Sequence, residues 1–150
     1  MPSFTVTRRI DRPRAEVFEV FTDFDSMPQR IDGIANIEIL TQGPVGEGTR
    51  WRETRKMFGN KSATEEMEIT GFEPERSYTV EADSHGTHYR SVYNFDAVGH
   101  STDVTCTFEA KPVSLMAKVM SPLGVVMMGA TKKIMAADID DLKRVVEHDS

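Results

Sequence analysis

The sequence has one cysteine, one tryptophan and four histidines in 150 residues, and each scarcity removes a class of function. A single thiol, Cys106, closes no internal disulfide. His85, His88, His100 and His148 with one cysteine do not supply the converging ligand set of a zinc centre. The His85-Gly-Thr-His88 spacing straddles a Gly86 turn that points both imidazoles to solvent, so no metal site is expected. There is no P-loop, no dinucleotide-binding glycine pattern, no Gly-x-Ser-x-Gly and no HExxH, and no cofactor is expected. No apolar run reaches the roughly 20 residues of a membrane span. Nor does any early segment join a basic start, an apolar run and a small-residue cleavage site, so the expectation is a cytoplasmic protein without stable membrane insertion. Positive charge is in deficit, with 18 Lys and Arg against 24 Asp and Glu and a net charge of −6, and no nucleic-acid partner is expected. What remains is one globular domain over residues 1–150, long enough to build a core without staples.

The hydrophobic period orders that domain. Residues 3–10 alternate as a strand, and Asp11 with Pro13 opens a helix over about 13–24 whose apolar face is Val17, Phe18, Val20, Phe21 and Phe24. A second short helix starts at Asp25 or Ser26 and stops at Asp32-Gly33. Six strands then follow over 34–41, 49–58, 61–72, 77–83, 87–97 and 102–111, joined by short turns rich in glycine and proline, which makes an antiparallel meander. After Pro112 the period turns helical, and from Pro122 to Glu147 a helix of about 39 Å spans a whole sheet. Its apolar positions include Leu123, Val126, Met127, Ala130, Ile134, Ala137, Leu142 and Val145.

A seven-stranded sheet needs one face covered, and this terminal helix is the only element with the length to do it. Alternation assigns Trp51, Glu53, Arg55 and Met57 to the inner face of their strand. It likewise assigns Ala63, Glu65, Met67 and Ile69; Tyr78, Val80 and Ala82; Tyr89, Ser91, Tyr93 and Phe95; and Val104, Cys106, Phe108 and Ala110. Charges on that face are costly unless paired or solvated, so Glu53, Arg55 and Glu65 read as a cross-strand ion pair, as the polar part of a cavity, or as residues near strand ends where the sheet splays and its inner face meets solvent. The outer strand faces mix Arg50, Arg52, Lys56, Lys61 and Arg90 with Glu66, Glu68, Glu81 and Asp83, which solvates a sheet rather than binding phosphate. Five of the nine methionines, Met116, Met120, Met127, Met128 and Met135, fall in the terminal segment, where they fill a core, line a pocket or face outward into a homodimer contact.

Three motifs, Arg12-Pro13-Arg14-Ala15-Glu16-Val17-Phe18, Gly46-Glu47-Gly48-Thr49-Arg50-Trp51 and Gly71-Phe72-Glu73-Pro74-Glu75-Arg76, together with the element order, resemble the START-related helix-grip superfamily. That group is also described as the polyketide cyclase/dehydrase and lipid-transport, Bet v 1-like or SRPBCC family. The resemblance implies an α+β helix-grip fold: a curved antiparallel sheet of seven strands wrapped around a long C-terminal helix, with two short helices after strand one. It further implies a deep apolar cavity between sheet and helix, with entry gated by the helices near 13–31 and by loops at the mouth. The motifs are scaffold, and they carry over no catalytic residue.

Strand and helix phase then give the expected ligand contacts. From the strands come Trp51, Arg55, Met67, Tyr78, Tyr89, Tyr93 and Phe108, and from the helix Met127, Ala130 and Ile134. The first expectation is a binding protein for a small hydrophobic or amphipathic ligand, such as a lipid, a polyketide or an aromatic molecule. The second is a cyclase or dehydrase in which Glu53 or Glu65 acts as base and Tyr89 or Tyr93 as acid. The third is a ligand-free stress or protein-interaction module, which requires a solid interior.

Overall fold

The structure, a computed structural model, describes residues 3–57, 59–119 and 121–148, with the side chains of Ala117, Val119 and residues 121–127 outside the description. Strand β1 (Ser3–Ile10) is followed by helix α1 (Arg14–Thr22), a single 3-10 turn (Phe24–Ser26) and the short helix α2 (Met27–Arg30). Strands β2 (Ile34–Ile39), β3 (Arg50–Lys56), β4 (Ser62–Glu73), β5 (Ser77–Ser84), β6 (Thr87–Val98) and β7 (Ser101–Pro112) come next, then α3 (Leu115–Val119) and α4 (Ser121–His148). The seven strands form one antiparallel sheet in the order β1-β7-β6-β5-β4-β3-β2. The chain therefore has the α+β helix-grip architecture: a meander closed on one side by β1, curved over a long C-terminal helix.

Turn chemistry fixes the meander. His85 and Gly86 both have positive φ, 50° and 78°, which is the two-residue turn whose twist matches the flanking strands β5 and β6. Between Ile69 and Gly71 the β4 register shifts against β5, and this bulge helps bend the sheet.

Three local expectations need correction. Asp11 does not cap α1, because its carboxylate accepts from the Ser101 hydroxyl at 2.9 Å; Pro13, with extended backbone, is the cap residue instead. His88 is only partly exposed, and it is paired rather than free. Its two ring nitrogens lie 2.7 Å from Asp83 and 2.6 Å from Glu81 on the outer sheet face, and both carboxylates raise its pKa. The apolar stripe of α4 is also rotated from the one expected: Ile139, Leu142 and Val146 are buried, whereas Ala130 and Ala137 are exposed.

That rotation positions the cavity. The C-terminal half of α4 packs on β1 and α1 through Ile139, Leu142 and Val146, among the buried side chains of the core. The preceding turns of the same helix, over Thr131–Asp138, have no buried residue. A helix seated at one end and lifted at the other leaves space between itself and the curved sheet.

Candidate ligand cavity

The space is a cavity of about 380 Å³. Strands β3 to β7 present Trp51, Glu53, Arg55, Glu65, Met67, Tyr78, Tyr89, Tyr93 and Phe108 to it, and α4 presents Ile134. These expected residues are thus brought together. Ala130 is not, since it is solvent-exposed and outside the cavity wall, and the Met127 side chain lies outside the described residues. The wall further includes Thr131, Met135 and Asp138 from α4 and Phe21, Phe24, Met27 and Ile31 from the first helices, none of which strand phase could assign.

One end of the cavity is plugged by aromatic packing. Phe24 stacks on Trp51 at 4.1 Å between ring centroids, Phe21 meets Phe95 edge-on at 5.4 Å, and Tyr78 stacks on Tyr93 at 4.7 Å. Phe21, Phe24, Met27, Ile31 and Trp51 are all buried, so α1 and α2 form the floor rather than the gate that the resemblance implies. The exposed wall residues are Met57, after β3, and Ile134, on α4, at 49% and 51%. They mark the mouth at the opposite end, between the β3–β4 hairpin and the lifted part of α4.

The polar wall is built around Arg55. Its Nε donates to Glu53 Oε2 at 2.8 Å, its Nη1 donates to Asp138 Oδ1 at 3.3 Å, and its Nη2 donates to Asp138 Oδ2. Trp51 Nε1 donates to the other Glu53 oxygen at 3.3 Å. The guanidinium therefore bridges its own strand to α4. Gly33 permits this, since a Cβ there would sit 3.3 Å from Nη1. Burial opposes the charge on Arg55, but the hydrogen bonds and charges of Asp138 and Glu53 outweigh it and raise its pKa. Burial also pushes the Asp138 carboxyl up, against the pull of Arg55.

Glu65 is not part of that ion pair. It faces Glu53 directly across the β3–β4 ladder and accepts from the Ser84 hydroxyl at 2.7 Å. Like charges so placed repel. Three carboxyl groups and one guanidinium thus line the cavity. Burial raises Tyr78 and Tyr93 well above the ordinary phenol, so both are neutral, and Tyr78 donates to the Phe21 carbonyl at 3.4 Å. Cys106, beneath Tyr93, is likewise pushed up by burial to about 12 and is an inert thiol. Among the described residues no cluster of His, Cys, Asp and Glu is arranged to hold a metal ion.

The family described as polyketide cyclase / dehydrase and lipid transport matches residues 1–147. Solved structures with the same fold include a START superfamily protein from Mycobacterium smegmatis, 17% identical with a TM-score of 0.74 over 99% of each chain. Norcoclaurine synthase from Thalictrum flavum is 18% identical with a TM-score of 0.73, over 99% of this chain and 96% of that one. The di-domain ARO/CYC StfQ of the steffimycin biosynthetic pathway is 10% identical with a TM-score of 0.76; 97% of this chain matches 49% of it, so this chain spans about half its length. At these identities the likeness is one of fold. No curated protein sequence matches the chain.

Proposed function

The chain belongs to the polyketide cyclase / dehydrase and lipid transport family, and from that premise we propose that its cavity binds a small amphipathic molecule. The ligand has an aromatic or polycyclic apolar body and a polar end that donates hydrogen bonds or carries positive charge. The observation that carries this reading is the cavity itself, about 380 Å³ with tyrosine, tryptophan and phenylalanine walls and a carboxylate excess on one side. Volumes of a few hundred Å³ with few polar groups suit small organic ligands. A carboxylate or phosphate on the ligand would enter a region where Glu53, Glu65 and Asp138 already outnumber Arg55, whose guanidinium is engaged by two of them. Even with Asp138 protonated, no net positive charge is left to receive an anion.

Two probes with one skeleton test the charge preference. N-phenyl-1-naphthylamine is neutral, and 1-anilinonaphthalene-8-sulfonate is the same framework with a sulfonate added. The neutral probe is expected to bind about tenfold or more tightly by fluorescence titration, a difference of about 1.4 kcal/mol. Tighter binding of the sulfonate would overturn the assignment of the polar wall.

The alternative as an acid–base enzyme is less favoured at Glu53, because both of its carboxylate oxygens accept hydrogen bonds, from Trp51 and from Arg55. Glu53 reads instead as the group that orients Arg55. The ligand-free module calls for a solid interior, and a void of this size counts against it.

A further inference from the structure

We propose that the mouth end of the molecule is a docking surface for an anionic lipid bilayer, contacted reversibly. The inference is independent of what the cavity holds. It starts from a segregation that net charge conceals: six of the seven lysines fall at one end of the fold. Lys56 ends β3, Lys61 lies in the β3–β4 hairpin, Lys111 is near the end of β7, Lys118 is in α3, and Lys132 and Lys133 are on the lifted part of α4. All six are exposed. Lys56, Lys61, Lys111, Lys132 and Lys133 have no carboxylate partner among the described residues. Most arginines near the other end or on the sheet face are paired, and the seventh lysine, Lys143, holds Glu147 at 2.6 Å. Near the lysine end Asp83 holds His88, and Glu109 lies across from Arg90 in the β6–β7 ladder.

Large apolar side chains stand among these lysines. Leu115 and Met116 are 80% and 78% exposed, and Val113, beside them, is 52% exposed. By strand order and connection they lie at the same end of the fold as Met57 and Ile134, among the six lysines. Long lysine stems cover apolar surface while their heads reach anionic headgroups, so the pattern is complementary to a lipid interface. A second copy of the chain fits poorly, because two lysine-rich ends would face one another. A nucleic acid would need exposed aromatic rings or arginine forks, and these apolar residues and lysines supply neither. A bilayer needs no matching groove, and Leu115 and Met116 project rather than line one.

The test is co-sedimentation of the full chain with phosphatidylcholine vesicles, with and without phosphatidylserine, at low and high salt. Binding is expected only with phosphatidylserine and is expected to weaken as salt rises. The Lys132→Gln/Lys133→Gln variant should lower the partition coefficient about 25-fold, or about fivefold per lysine. Leu115→Ser/Met116→Ser should lower it as well, while Arg76→Gln, in the turn at the far end, should leave it unchanged. Absence of phosphatidylserine-dependent binding overturns the proposal, as does an equal loss with Arg76→Gln. A salt-sensitive dimer without vesicle binding overturns it too, and gives the face to a second copy. None of these results bears on probe binding in the cavity, so the two readings fail separately.

Discussion

Replacing Arg55 with leucine is expected to lower the unfolding free energy by about 3 kcal/mol in a urea titration at neutral pH, the lower end of the range for breaking a buried ion pair. Among the described residues the guanidinium is the only positive group beside Glu53, Glu65 and Asp138 on the cavity wall. Without it, Glu53 keeps only the Trp51 indole as a donor, and Asp138 loses both of its bonds from Arg55. Glu53 and Asp138 have side chains only 11% and 17% exposed, so water replaces the lost partner poorly, while the 26% exposure of Arg55 places the cost at the lower end. The repulsion between Glu53 and Glu65 across the β3–β4 ladder would then be unscreened. Arg55 also ties the lifted part of α4 to the sheet, so the loss extends beyond the pair. A change below about 1 kcal/mol would mean that these carboxylates behave as solvent-exposed groups, whose pairs are worth that little.

How much of this was legible before the fold was known differs from element to element. Inner-face residues of β3 and β6 could be read directly, because Trp51, Glu53 and Arg55, like Tyr89, Ser91 and Tyr93, alternate with a polar outer set and a strand side chain has only two directions to take. The helix gave less. Many of its faces carry apolar residues, so 3.6-residue spacing alone does not select the stripe built on Ile139, Leu142 and Val146, and it puts on the cavity an Ala130 that lies at solvent. Asp138 sits two residues before Asp140 and Asp141 and reads as part of a charged exterior. Only its phase with Ile134 and Thr131, one and two turns earlier, places it inward. The position of the mouth was not legible at all, because alternation tells in from out but not which end of a cavity the aromatic rings of α1 and the 3-10 turn will plug. The gathering of lysines at that mouth was hidden in the same way, since residues 56, 61, 111, 118, 132 and 133 are far apart in sequence and meet only through the meander.

Filling the cavity from the sheet side should abolish most binding without unfolding the protein. Ser91 is at the centre of β6, opposite Phe108 on β7 and Val80 on β5, with its side chain on the cavity wall. A tryptophan there enters existing space instead of displacing packed atoms, so the usual overpacking cost of about 1–3 kcal/mol is largely avoided. If it removes about 100 Å² of apolar contact from a bound N-phenyl-1-naphthylamine, the loss is about 2.5 kcal/mol. Affinity should fall by about 70-fold, with circular dichroism and the urea midpoint close to wild type. An unchanged affinity in a folded Ser91→Trp protein would place the probe elsewhere.

The central claim is that an amphipathic molecule enters the space between the sheet and α4, and the sole tryptophan tests it most directly. Trp51 is buried on the cavity wall, stacked on Phe24 and bonded to Glu53, so a molecule inside the cavity lies close enough to quench its emission. Titrating N-phenyl-1-naphthylamine into the wild-type protein should quench Trp51 in step with the rise in probe emission, saturating at one probe per chain. Probe emission that rises without saturable quenching of Trp51 would contradict the account.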